Sequence, residues 1–123
     1  MRIMTIKRLR DFWENPKNAR AKAPLEVWIN AVKKAEWTSF ADVKQSFNSA
    51  DRYRSKTIFD VGGNKFRIVA FVDFEGQRVF IRAVLNHTDY DRGKWKNDPF
   101  GDNWKTHEEH KKTFPNQKGQ ADP

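Results

Sequence analysis

KFRIVAFVDFEGQRVFIRAVLNHTDYD, residues 65–91, alternates apolar and polar side chains on both sides of Glu75 and Gly76. Successive strand side chains point to opposite faces, so this pattern predicts a hairpin that turns at that dipeptide. A two-residue turn sets Asp73 opposite Arg78, Phe71 opposite Phe80, Val69 opposite Arg82 and Arg67 opposite Val84. One face then receives Phe66, Ile68, Ala70, Val72, Val79, Ile81, Ala83 and Leu85, all of them apolar. Agreement between the two strands supports the register, because a slip of one residue turns a strand's whole set to the wrong side.

The other face holds Lys65, Arg67, Val69, Phe71 and Asp73 beside Arg78, Phe80, Arg82 and Val84. Asp73 and Arg78 neutralise each other across the ladder. Arg67 and Arg82 have no such partner in this register, and as diagonal neighbours their guanidinium forks are spaced to straddle one phosphate. Upstream, TIFDVGGNKFRI (residues 57–68) reads as a second hairpin around Gly62 and Gly63, which reach positive φ without strain. That turn adds Lys56 to the cationic face and sets Asp60 opposite Lys65. Cationic side chains on a half-exposed sheet are ordinarily a solvated surface, so the hairpin alone does not specify a ligand.

Helices at the amino end are expected to cover the apolar face. Thr5 is positioned to cap a helix with Ile6, Leu9 and Trp13 on one side, ended by Pro16. A second helix starts at Pro24 and carries Leu25, Trp28, Ile29 and Val32 at i, i+3, i+4 and i+7. Between them PKNARAKAP reads as a basic loop. Ser39 followed by Asp42 resembles a capping box for a short third helix through Val43 and Phe47. After Asp91 the periodicity is lost; Trp95, Phe100, Trp104 and Phe114 suggest that part of the tail packs on the body, Thr106 and Glu109 suit a short helix, and the last eight or so residues read as disordered.

The chain has 123 residues, suited to one domain with a single core. Its 24 Lys+Arg against 16 Asp+Glu give a formal charge of +8, which favours polyanionic partners, nucleic acid first. Residues 1–92 hold 18 basic and 11 acidic side chains, so the positive surface belongs to that part. There are no cysteines, which excludes disulfides and thiolate metal sites. No run is long enough for a signal peptide or a membrane span, and the expected location is the cytoplasm, without membrane contact.

His87, Tyr90 and Asp91 lie where the chain leaves the hairpin, at the end that carries Arg67 and Arg82. Histidine exchanges a proton near neutral pH, and a phenol donates or accepts hydrogen bonds at a reacting oxygen. RNA cleavage without a metal needs a base for the 2′-hydroxyl, an acid for the leaving 5′-oxygen and cations for the charge gathering on phosphorus. All three roles are supplied within one short stretch.

FDVGGNKFRIVAFVDFEGQRVFIRAVLNHTDYD, with FNSADRY upstream, closely resembles the HigB-type toxins of bacterial toxin-antitoxin pairs, within the RelE-like superfamily. Its most specific marks are GGNKFR, IRAV and the closing NHTDYD, and it extends over roughly residues 2–95. The resemblance implies an α+β, RelE-like fold with the amino-terminal helices packed on one face of a small antiparallel sheet. It divides the chain into a toxin domain, residues 1–95, and a carboxy-terminal extension, 96–123. It also implies a cofactor-free endoribonuclease that cuts mRNA on the translating ribosome and is neutralised by a HigA-type antitoxin with a helix-turn-helix domain. Operator DNA would be met only indirectly, through that antitoxin. The matching positions make Arg67, Arg82, His87 and Tyr90 the expected catalytic group: Tyr90 or His87 activates the 2′-hydroxyl, the arginines hold the phosphate, and the products are a 2′,3′-cyclic phosphate and a 5′-hydroxyl. Lys65, Lys56 and Arg78 are expected to contact RNA from the sheet, and Lys7, Arg8 and Arg10, with Arg20, Lys22, Lys33 and Lys34, to anchor on ribosomal phosphates.

Two other classes compete. HEEH, residues 107–110, puts two histidines beside two carboxylates, but the spacing lacks the HExxH arrangement and no cysteine completes a zinc site. A non-enzymatic module, such as a ParE-like gyrase poison, would use the same basic sheet without needing the proton-transfer groups His87 and Tyr90.

Overall fold

The computed structural model describes residues 1–104. In chain order these form β1 (Arg2–Met4), α1 (Lys7–Glu14), a 3-10 segment Pro16–Ala21, α2 (Lys22–Lys34), α3 (Phe40–Ser46), β2 (Asp51–Tyr53), β3 (Lys56–Val61), β4 (Phe66–Asp73), β5 (Arg78–Asn86), α4 (His87–Arg92) and a 3-10 segment Lys94–Asn97. The strands make one five-stranded sheet in the order β1-β5-β4-β3-β2. It is mixed rather than purely antiparallel, because the opening Arg2–Met4 pairs parallel to β5, with Ile3 beside Val79. Strands as short as β1 and β2 are too brief to display an alternation, which is why neither is evident in the sequence.

The apolar periodicity of α2 places Leu25, Trp28, Ile29 and Val32 in the core together with Leu9 of α1. They pack on Phe59, Ile68, Ala70, Val72, Val79 and Ile81 of the sheet. Phe59 lies between rings, its centroid 5.2 Å from Trp28, 5.3 Å from Phe47 and 6.1 Å from Trp37. The helix begins at Lys22, with Pro24 tolerated in its first turn, where its missing N–H has no helical acceptor to lose. The expected basic loop is a 3-10 segment, opened by Asn15, whose side chain accepts from the Lys17 N–H. At α3 the Ser39 hydroxyl makes no cap; Asp42 instead accepts from the Thr38 N–H and hydroxyl at 2.8 and 2.9 Å, which holds its carboxyl below the ordinary range.

Two features of the strand pairing differ from the sequence reading. The first hairpin closes through four residues, Gly62 to Lys65, with Gly62, Gly63 and Asn64 all at positive φ, and Asp60 faces Arg67 rather than Lys65. Lys65 is therefore an exposed loop residue and no part of the sheet face. In the second hairpin Asp73–Arg78 and Phe71–Phe80 pair as expected, but the register shifts at Val69/Ala70: Ala70 faces Ile81 and Val69 faces Ala83. Arg82 is the additional residue of a β-bulge. Beyond it Val84 turns to the core, while Ala83 and Leu85 turn outward to join Val69, Ile58 and Trp95.

The amino end of α1 holds the bulge. Thr5, at φ 63 and so not a helix cap, donates its hydroxyl to the Ile81 carbonyl at 3.1 Å, and the Arg8 guanidinium donates to the Arg82 carbonyl at 2.8 Å. The outer sheet face is covered as well. Tyr90 and Trp95 lie over one half, and residues 98–104 cross the other, where Phe100 and Trp104 pack on Phe71 and Phe80 with centroids 5.0 to 5.8 Å apart. The expected packing of Trp95, Phe100 and Trp104 on the body is thus observed; Thr106, Glu109, Phe114 and the HEEH histidines lie outside the described residues. Among the described residues no helix is long and apolar enough to cross a membrane.

Gly101 fixes how closely the crossing segment approaches the sheet. It has φ +88, and a Cβ there would overlap the Phe71 ring. Gly101→Ala is expected to lower stability by about 1–3 kcal/mol, through left-handed strain and a displaced aromatic cluster. A thermal melt followed by Trp fluorescence measures it, and an unshifted transition contradicts the close contact.

Candidate active site

Asn86 ends β5 and caps α4, its side chain accepting from the Asp89 N–H at 2.7 Å, and Gly93 closes the helix in the left-handed conformation at φ 76. His87 and Tyr90, three residues apart, therefore rise from one short, doubly fixed turn. His87 is half-exposed, and its Nδ1 lies 3.0 Å from the Asp91 carboxylate. When Nδ1 donates there, Nε2 is left with its lone pair, the form required of a base.

Tyr90 is half-buried. One ring face stacks on Trp95 at 5.2 Å and 7° between planes, and Arg67 sits at the ring, its guanidinium carbon 4.9 Å from the centroid. Trp95 is held in turn by the Tyr90 carbonyl, which accepts its indole N–H at 3.0 Å, and by the edge of Tyr53. Burial raises the phenol above its ordinary value, as do Asp51 and Asp60, while Arg67 opposes them. Tyr90 is consequently protonated at neutral pH, suited to giving a proton or hydrogen bond rather than to acting as a phenolate base.

The two arginines do not stand side by side in solvent. Arg67 is 8% exposed; its Nε meets Asp60 at 2.8 Å, and its Nη1 donates to the Asn64 carbonyl at 3.0 Å. The bulge and the partner carboxylates direct Arg82 elsewhere: Nε and Nη2 meet the two oxygens of Asp98 at 2.7 and 3.2 Å, and the guanidinium lies 4.3 Å from the Phe100 centroid. The expectation that neither arginine has a carboxylate partner is corrected on both counts. So is the cationic face: Lys56 is 2% exposed, its ammonium donating to the carbonyls of Asp98 and Phe100 at 2.9 and 2.7 Å. Arg78 forms the expected fork with Asp73, at 3.0 and 2.8 Å, and also lies over Phe80 and Trp104.

The cations expected to meet ribosomal phosphates stand on the amino-terminal helices and the 3-10 segment between them. Lys7 pairs with Asp11, Arg8 serves the bulge, and Arg10 is exposed beside Trp13 and Glu26, lining a cavity between α1 and α2. Arg20, Lys22, Lys33 and Lys34 are also exposed. Asp60, Trp95 and Asp98 are site residues that the sequence did not assign to the site, Trp95 being expected only to pack on the body. Alternation put Asp60 on the correct face but opposite the wrong residue, and no periodicity marks Trp95 or Asp98.

A small basic α+β protein with a histidine and a tyrosine on one short turn, and a carboxylate-paired arginine against the tyrosine ring, defines the class, and comparison with known proteins names the family. Residues 21–93 match the family model described as HigB_toxin, RelE-like toxic component of a toxin-antitoxin system. The chain is 35% identical over 94 residues, 74% of its length and 88% of the relative, to the mRNA interferase toxin HigB of Escherichia coli K12, and equally to the mRNA interferase HigB of Shigella flexneri. It is 31% identical over 71 residues to mRNA interferase HigB of Escherichia coli O6:H1, covering 69% of that protein. The chain belongs to the HigB family of RelE-like toxins.

The protein has two tyrosines, Tyr53 and Tyr90. In an absorbance titration at 295 nm, Tyr90 is expected to ionise at higher pH than an ordinary phenol does. Tyr90→Phe should remove the late step. A phenol whose value is raised on folding contributes stability that is complete below the unfolded value and lost as pH rises through the folded one, so the thermal transition should fall on that alkaline limb. A late step that persists in Tyr90→Phe contradicts the assignment.

Proposed function

We infer that the chain catalyses the reaction its relatives are named for, cleavage of messenger RNA as the toxic half of a toxin-antitoxin pair. The observation that carries the chemistry is the α4 turn, where a carboxylate-oriented imidazole and a protonated phenol sit three residues apart. In this reading His87 Nε2 takes the proton of a 2′-hydroxyl, and the 2′-oxygen attacks the adjacent phosphorus. The bond from phosphorus to the 5′-oxygen breaks, and Tyr90 gives that oxygen its proton. A 2′,3′-cyclic phosphate and a 5′-hydroxyl result, with every bond and proton accounted for. Arg82 stabilises the additional charge on the phosphate oxygens. Arg67, buried and held by Asp60 and the Asn64 carbonyl, supports the Tyr90 ring rather than gripping the phosphate.

Exposed Lys65, Lys7, Arg10, Arg20, Lys22, Lys33 and Lys34 supply a positive surface for RNA, and we place the reaction on the translating ribosome, where phosphates are dense. Neutralisation falls to a HigA-type antitoxin with a helix-turn-helix domain, through which alone operator DNA is met. Residues 1–95 carry the chemistry, and the following segment braces it.

His87→Ala is expected to reduce single-turnover cleavage of a ribosome-bound message by about 100-fold or more, and Tyr90→Phe by a similar factor. A message with a single 2′-deoxy nucleotide at the cut position should stay intact. Primer extension and end-group analysis read all three. Cleavage of the deoxy message, or products lacking the cyclic phosphate, rule out the 2′-hydroxyl mechanism, while an unchanged rate for Tyr90→Phe removes Tyr90 from proton transfer.

A further inference from the structure

Residues 98–104, past the end of the family-model match at residue 93, cross the outer face of the sheet on polar anchors. The Asp98 carboxylate takes the Nε–Nη2 edge of Arg82, as described above, and its own placement is fixed from beneath. Lys56 donates to the carbonyls on either side of Pro99, those of Asp98 and Phe100. The Ser55 hydroxyl has the Asp102 carboxylate at 2.7 Å as its nearer acceptor and the Phe100 carbonyl at 3.2 Å. The Phe100 N–H returns to Asp98 Oδ1 at 3.1 Å, so that oxygen receives both a backbone amide and the guanidinium.

A guanidinium has two edges that can grip an oxyanion as a fork. Asp98 takes one of them, the Phe100 ring covers a face of the guanidinium plane, and among the described residues Nη1 is left without an acceptor. Arg82 and Asp98 retain 25% and 23% side-chain exposure, so the remaining edge reaches solvent. A flexible arginine on a bulged strand would otherwise spread over many rotamers, and the order of ~100-fold can be lost when a reacting group is misplaced by about 1 Å.

We propose that Asp98 is a positioning residue for RNA cleavage: it locks Arg82 by one edge so that the free Nη1 edge meets the scissile phosphate. The inference rests on the reading of Arg82 given under Proposed function. Lys56 and Ser55 act one step further out, as the anchors of Asp98. The buried lysine thus has its work in the architecture of the site, not on the RNA.

The test is a double-mutant cycle on ribosomes programmed with a short defined message, under single-turnover conditions, with a thermal melt of each protein. Asp98→Asn keeps the shape and loses the charge and the second acceptor. It should slow cleavage by about 10-fold while the affinity for programmed ribosomes changes far less. Asp98→Glu should recover part of the loss. Once Arg82→Ala has removed the group being positioned, adding Asp98→Asn should cost nothing further. Three results overturn the proposal: a wild-type rate for Asp98→Asn, a faster rate, which would make the carboxylate a blocker of the phosphate position, or full additivity with Arg82→Ala, which would make its effect independent of that arginine. A wild-type rate for Arg82→Ala would instead remove Arg82 from the reaction and the inference with it. That outcome is distinguishable, because failure of the inference alone leaves Arg82→Ala defective.

Discussion

Two hydrogen bonds from the start of α1, Thr5 to the Ile81 carbonyl and Arg8 to the Arg82 carbonyl, hold the one irregular step in β5. Strand side chains have a period of two, so a single inserted residue exchanges the faces of everything after it. Without the bulge, Ala83 and Leu85 would lie in the core and Val84 outside. With it, Ala83 and Leu85 make part of the apolar bed on which Tyr90 and Trp95 rest, and α4 departs toward the outer face. The placement of the turn that carries His87 and Tyr90 therefore depends on two polar contacts made some seventy residues earlier in the chain.

The two outer arginines are built on one plan. Each has a carboxylate on its Nε, Asp60 for Arg67 and Asp98 for Arg82, and an aromatic ring beside the guanidinium, Tyr90 or Phe100. A guanidinium partly removed from water needs such partners, since leaving a buried charge unpaired costs several kcal/mol. The difference between the sites is solvent access. Arg67, 8% exposed, is committed to holding Tyr90, whereas Arg82 keeps an outward edge. The outer sheet face thus contributes charge in fixed, directed form, while Lys7, Arg10, Lys22, Lys33, Lys34 and Lys65 present theirs to solvent from helices and a loop.

How much of this is legible in the chain itself varies by element. The i, i+3, i+4, i+7 series of α2 and the alternation of β4 with the first half of β5 are local patterns, and the structure follows them residue by residue. Phe114 and the HEEH histidines, also singled out by sequence, lie outside the described residues. Lys56 shows the opposite case. Its position in an alternating strand made it an exposed cation, yet the backbone carbonyls of a distant tail enclose it, and no pattern around residue 56 records that tail.

By itself the sequence determined the apolar face of β4 and of the first half of β5, the covering helices, the basic character of the chain and the motifs, GGNKFR to NHTDYD, that mark the family. Those properties depend on neighbours within a helical turn or a hairpin, and a linear pattern can store them. Tertiary structure alone decided the bulge at Arg82, the carboxylate partners of both arginines, the stacking of Tyr90 between Arg67 and Trp95, and the enclosure of Lys56. Each arises where segments far apart in the chain supply the missing half of a hydrogen bond or a ring contact, and the chain folds that way because a buried polar group without a partner is costlier than the irregularity needed to provide one.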